Sequence, residues 1–401
     1  MVGDPCEYAP KHLQPAPSGA PLPRLRWPFP ALAAGLVVSV LGVVALRPAD
    51  QAAAPDTTLA VTAGAAPIDI CTRASVEDRA GLVLVVGLPG VTTADHPLVD
   101  DLASVGVGGV MLRDENIRDE EQVTELVAGL RHRLGQDLLV AVDDEGGRVS
   151  SMRALDLEVA SARRLGRQGE DAAREAGEEL GALAASVGID WVFAPVADLD
   201  AGPSSGVIGD RSFGADPDEV AGLVRAFARG IRSAGVAVTA KHFPGHGGEG
   251  DPHEGDTVDP TTIEGLVAED LVPFRALVDD GAEAVMVGHV IYPAVWGDLP
   301  ASLAPRAYGL LRDQGFDGVA VTDALGMGAI QTRHGFDEAP ALAVAAGADA
   351  VLVNQGGEVA RLRDGLVAAV REGRLDERRL DEAGRRVLHL RGQDPTGTVC
   401  G

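Results

Sequence analysis

From residue 75 onward, short apolar runs rich in β-branched residues alternate with amphipathic stretches. The runs read LVLVVGL (82–88), GVGGVML (106–112), LLVAVD (138–143) and WVFAPVADL (191–199). VAVTAKHF (236–243), AEAVMVGHV (282–290), GVAVTDAL (318–325) and ADAVLVN (348–354) follow. Their length and near-continuous apolarity suit strands covered on both faces, as in a parallel sheet. Between them, DEEQVTELVAGLRHRLG, EDAAREAGEELGALAASVG and DPDEVAGLVRAFARGIRSAG repeat apolar positions at helical spacing. Several of these stretches open on Asp and close on Gly, as capped helices do. Eight strand–helix repeats predict an α/β fold, a single (β/α)8 TIM-type barrel. A doubly wound open sheet is the alternative, but it rarely needs eight consecutive repeats.

The polar residues at the ends of these runs carry more information than the number of runs. Asp143, Asp198, Lys241 with His242, His289, Asp323 and Asn354 all fall at the C-terminal ends of predicted strands. In a barrel, that rim is where the loops after each strand build a site. One ionisable residue there is commonly a helix cap; six strands repeating the pattern predict a polar pocket.

The first 71 residues have a different pattern. Residues 1–27 form a basic, proline-rich head that is expected to be disordered. Residues 28–47 contain ALAAGLVVSVLGVVAL (31–46), an uncharged run preceded by Arg24 and Arg26. Those flanks predict a signal peptide or a membrane anchor, with the body of the protein exported. An Ala/Pro/Thr-rich linker (48–71), the barrel (72–392) and a short C-terminal tail (393–401) complete the expected organisation. Export would also place Cys71 and Cys400, which bracket the barrel, where a disulfide can form. Two unrelated thiols are the other reading.

Over 401 residues, 46% hydrophobic content supports a sizeable core, and a net charge of −26 argues against nucleic acid. Aromatic residues make up only 3%, too few for a long platform that binds polymers. Lysine occurs only at Lys11 and Lys241, and the second opens the segment KHFPGHGGEGDPH (241–253).

Within that segment Asp251 and His253 lie two apart, a spacing at which a carboxylate can orient and charge-stabilise an imidazole acid/base. A solvated loop pair is the plain alternative. A metal site using His242, His246, Asp251 and His253 is a further one, disfavoured by the adjacent Lys241 charge. Asp323 ends a buried run, and the next helix is expected to begin only near Gly326 to Gly328. A helix N-cap is the plain role for such a residue, and a carboxylate left free to point into the barrel mouth as a nucleophile is the other reading.

KHFPGHG followed by Asp-x-His resembles the signature of the family 3 glycoside hydrolases, in particular bacterial β-N-acetylhexosaminidases of the NagZ type. AVDDEGGRV (141–149), IGDRSFG (208–214) and VTDALGM (321–327) resemble three further family motifs in the same order. The resemblance covers residues 72–392. It implies that Asp323 is the nucleophile, His253 the general acid/base and Asp251 its dyad partner. Asp143, Arg211, Lys241 and His242 match positions that bind the sugar. The expected function is retaining hydrolysis of terminal β-linked N-acetylglucosamine from muropeptides or related glycans, by a monomer needing no cofactor or metal. The partner is then a carbohydrate, with membrane contact only through an uncleaved N-terminal segment. A β-glucosidase, a β-GlcNAc phosphorylase and a non-catalytic sugar-binding barrel are the rival readings. Three departures from the family pattern stand out: a loop one residue shorter before the dyad, Pro252 in place of a common serine, and Ser151, with Arg153 nearby, where a second substrate arginine often lies.

Overall fold

The computed structural model describes residues 74–246, 251, 253–354 and 356–392. The head, the apolar run 31–46, the linker, the tail and the Cys71–Cys400 pairing lie outside the described residues, as does Pro252. Among the described residues no helix is long and apolar enough to cross a membrane.

Eight parallel strands form the barrel: β1 (Leu84–Gly87), β2 (Gly109–Leu112), β3 (Leu139–Val142), β4 (Trp191–Val192), β5 (Ala237–Phe243), β6 (Ala284–Val287), β7 (Val319–Thr322) and β8 (Val351–Val353). Their spatial order is β8-β1-β2-β3-β4-β5-β6-β7, and a bridge between Val321 and Ala350 closes the ring. Consecutive strands are thus neighbours throughout, as the eight repeats predicted, and no open edge remains.

The side-chain period of two divides each strand between two cores. In β1, Leu84 and Val86 pack outward into the helix layer, whereas Val85 joins Met111, Ala141, Trp191, Phe193, Met286, Val321 and Leu352 inside the ring. Trp191 meets Phe193 edge to face at 4.9 Å and donates its indole N–H to Thr239 Oγ1 at 2.6 Å. Packing inside the ring thus closes the barrel below its mouth.

The helices follow their sequence signals. Asp119 caps Glu120–Leu134 and Asp216 caps Pro217–Arg232, each side chain accepting backbone N–H groups of the first turn. Two local features depart from the expectation. The run 191–199 forms a regular strand only at Trp191–Val192 and then a single bridge from Val196 to Lys241, because Pro195 between them has no N–H to offer the ladder. After β3 the chain also makes a small antiparallel hairpin, Asp144–Gly146 against Val149–Ser150. Gly146 (φ 76°) and Gly147 (φ 60°) turn it, and a Cβ on either would lie 2.7 Å from the 159–161 segment beneath. Only glycine permits both the turn and that approach.

Candidate active site

One small cavity of about 130 Å³ opens at the C-terminal end of the barrel strands. Asp143, Arg211, Lys241, His242, His253 and Asp323 all line it, together with Met111, Phe193, Met286, Met327, Leu352 and Asn354. Asp251 stands behind His253. A larger groove, about 1030 Å³, lies at the opposite end of the barrel. Its charges are largely satisfied by ion pairs such as Arg229–Asp280 and Arg232–Glu283, so the small cavity is the better candidate.

Lys241 and His242 are adjacent in β5, yet both line the cavity. The pairing of β5 with β6 shifts register between Ala240 and Phe243, which breaks the strict alternation of faces there. Lys241 is 1% exposed, and its ammonium contacts Asp143 Oδ1 at 2.5 Å and Glu145 Oε1 at 2.6 Å. Burial alone would lower its pKa, but the two carboxylates raise it above the usual lysine value, so it stays charged.

The hairpin after β3 sorts three consecutive carboxylates. Asp143 faces the cavity. Asp144 turns into the hairpin, accepting from Met152 N, Ser150 Oγ and Gly146 N, and burial pushes its carboxyl up to about 6. Glu145 points back under Lys241 and Arg211, taking both arms of the Arg211 guanidinium at 2.7 Å. Burial opposes ionisation of Glu145, but Lys241 and then Arg211 hold it well below the carboxylate range. Ser151 is buried with its hydroxyl on the Asp143 carbonyl, and exposed Arg153 bonds the Arg148 carbonyl outside the cavity wall.

Asp198, 1% exposed, organises the loop after β5. Its carboxylate accepts from His242 N at 3.1 Å, His242 Nδ1 at 2.7 Å and His246 N at 2.8 Å. With Nδ1 donating to Asp198, His242 Nε2 is free to accept, and Arg211 Nη2 lies 3.4 Å from it. His289 is neither cap nor ligand. It bridges Ser302 Oγ at 2.7 Å and the Ala324 carbonyl at 3.1 Å, which braces the segment carrying Asp323, and burial lowers its pKa against the pull of the Asp323 carboxylate.

Asp323 does not cap a helix. The next helix is Gly328–Gln331, and among the described residues the carboxylate accepts only the neighbouring Ala324 N–H, at 2.7 Å. Burial would raise its pKa, but His289 and then His242 keep the carboxyl below its ordinary value. Asp251 Oδ1 accepts both the His253 backbone N–H at 2.9 Å and the ring Nδ1–H at 2.8 Å. This leaves Nε2 of the His253 ring, whose side chain is 69% exposed, as its outward group. The Gly328 N–H donates to the His253 carbonyl at 3.3 Å, tying the two loops together.

The alternative metal set does not assemble: among the described residues, no three His, Cys, Asp or Glu side chains group in a way that could hold an ion. What the arrangement offers is an ionised carboxylate and an imidazole–carboxylate pair at one cavity whose deeper wall carries fixed cations. Sequence reasoning missed Glu145 and gave Asp198 no role. The glycine pair after Glu145, which marks a tight turn, was the available signal for the first.

The chain matches the glycosyl hydrolase family 3 N-terminal domain over residues 76–390. It is 38% identical to a β-hexosaminidase, LpqI, of Mycobacterium tuberculosis over 91% of this chain and 96% of that protein. The solved structure of M. tuberculosis LpqI superposes with a TM-score of 0.76, covering 82% of this chain and 97% of that one. A family 3 β-N-acetylglucosaminidase from Paenibacillus superposes with a TM-score of 0.77 at 35% identity; the match covers 82% of this chain and 64% of that longer protein.

Proposed function

The chain belongs to glycosyl hydrolase family 3, and from that premise we propose how its cavity works as a β-N-acetylhexosaminidase. The reaction is retaining removal of a terminal β-linked N-acetylglucosamine. One observation carries the reading: Asp323 and the Asp251–His253 pair line or adjoin the same small cavity as the Lys241, Arg211, His242 and Asp143 cluster. The cluster suits sugar hydroxyls, offering charged donors and an acceptor that are already fixed by Glu145 and Asp198 before substrate enters.

In the first step the Asp323 carboxylate attacks C1 as the C1–O bond to the leaving group breaks. The His253 imidazolium gives its Nε2 proton to the departing oxygen, through an oxocarbenium-like transition state. Asp251, whose carboxyl is held low by the His253 backbone and ring bonds despite partial burial, remains an anion that stabilises the imidazolium. In the second step neutral His253 takes a proton from water, whose oxygen attacks C1 and releases Asp323. The depressed pKa of Asp323 suits both its attack and its departure.

The natural substrates proposed are muropeptides or related glycans, reached by export through the 28–47 segment. Purified enzyme should release phenol from aryl β-N-acetylglucosaminide with retention at C1, and at a rate indifferent to added phosphate. Release that requires phosphate would make it a phosphorylase, and absence of turnover would make it a binding protein. Protease accessibility of the barrel on intact cells tests export.

A further inference from the structure

Asn354 is a polar residue at the cavity that the steps above leave without a role. It follows β8 directly and lines the cavity, and its carboxamide oxygen is buried with no hydrogen-bond partner among the described residues. Buried polar atoms are nearly always paired, so an orphan acceptor at a binding cavity points to a donor that arrives with the ligand.

Its position is set by the barrel. The Asn354 backbone lies over Gly87 at the end of β1, where a Cβ would come within 2.9 Å of the Asn354 carbonyl oxygen. On the other side, β8 is stitched to the segment carrying Asp323. Leu352 N donates to Thr322 Oγ1 at 3.1 Å, and Leu325 N donates to the Leu352 carbonyl at 3.0 Å. Asn354 is therefore two residues beyond a position bonded to both sides of Asp323. A sugar with C1 presented to Asp323 has C2 one bond away and the nitrogen on C2 two bonds away. The lining also includes Met111, Met327 and Leu352, apolar side chains that suit a methyl group, with Arg113 as a further polar residue of the same cavity.

We propose that Asn354 is a specificity-determining residue that reads the 2-acetamido group: its Oδ1 accepts the acetamido N–H, while the acetyl methyl lies on the Met111, Met327 and Leu352 wall. This rests on the N-acetylhexosaminidase reading and names the contact by which the site separates N-acetylglucosamine from glucose. A glucoside offers only a hydroxyl at C2, without the methyl.

The test compares 4-nitrophenyl β-N-acetylglucosaminide and β-glucoside on wild type, Asn354→Ala and Asn354→Asp, with inhibition by free N-acetylglucosamine and glucose as a second readout. The kcat/KM ratio between substrates is independent of the fraction of folded enzyme. Asn354→Ala should lower the ratio about 10–100-fold, the usual effect of leaving a donor of the substrate unpaired in a buried site. It should weaken inhibition by N-acetylglucosamine and leave that by glucose unchanged. Asn354→Asp keeps the acceptor and should retain most of the ratio, even if its added charge slows both substrates. An unchanged ratio and unchanged inhibition in Asn354→Ala overturn the inference while leaving the glycosidase reading intact. An equal fall of the ratio in Asn354→Asp also overturns it, since the acceptor would then not be what is read. A wild type that cleaves neither glycoside overturns the reading and the inference with it.

Discussion

Lys241 Nζ lies 2.6 Å from Glu145 Oε1, and each side chain is 2% exposed. The same carboxylate holds both arms of Arg211, so one glutamate positions two of the cations assigned to the sugar. Without it, Lys241 would keep the Asp143 carboxylate, and Arg211 only the charges of Asp143 and Asp198.

Glu145→Gln should therefore destabilise the protein by about 3–5 kcal/mol, the cost of removing one partner from a buried ion pair. Urea midpoints at constant slope measure this. KM for an aryl N-acetylglucosaminide should rise as well, since Lys241 and Arg211 lose their anchor. A variant as stable as wild type would show that the pair is dispensable.

Asp323→Ala should abolish turnover and leave the melting temperature near that of wild type, because among the described residues this carboxylate bonds only the adjacent Ala324 N–H. A slow fluorosugar substrate should label Asp323 in the native protein, read by peptide mass spectrometry. A label on another carboxylate would reassign the nucleophile.

His253→Ala should cost about 10²–10⁴-fold on glycosides with poor leaving groups, the range for general acid/base assistance. Aryl glycosides of acidic phenols need little protonation, and their glycosylation step should fall far less. Azide should restore deglycosylation in this variant. Equal losses across leaving groups would remove His253 as the proton donor. Asp251→Asn should show a milder version of the same pattern.

Asp270 supplies a test by pH. Burial, and then the nearby Asp259 and Asp198 carboxylates, push its carboxyl up to about 7. The folded state thus binds this proton more tightly than the unfolded chain. The stability contributed by protonated Asp270 is complete below pH ~4, the ordinary carboxylate value, and is lost as pH rises through about 7. At about 1.4 kcal/mol per pH unit, the loss amounts to no more than about 4 kcal/mol. Asp270→Asn should be near neutral at pH 4 and more stable than wild type at pH 8, by thermal melts at both. A stabilisation equal at the two pH values would trace the effect to something other than ionisation.

Much of the fold was legible in the chain before any coordinates. Parallel strands are buried on both faces, so each of the eight wrote an apolar run, and the helices wrote their period and their Asp caps. The ends of those runs hold Asp143, Lys241, His242, Asp323 and Asn354 of the cavity, with Asp198 and His289 bracing it from behind, and the Asp251–His253 spacing announced the pair now seen at 2.8 Å. Family motifs supplied the roles, which spacing alone left open. Other features were decided only by tertiary structure. The shortening of β4 came from a ladder bond that Pro195 cannot make, and the hairpin that aims Glu145 is too short and polar to show a period. Asp198 could be read as a strand end, but not as the common acceptor of His242 and His246. Whether a carboxylate is a cap, a strut or a site residue depends on what the closed ring brings opposite it. Asp143 and Lys241, 98 positions apart, meet because β3 and β5 flank β4 in a closed barrel, and local sequence carries no record of that distance.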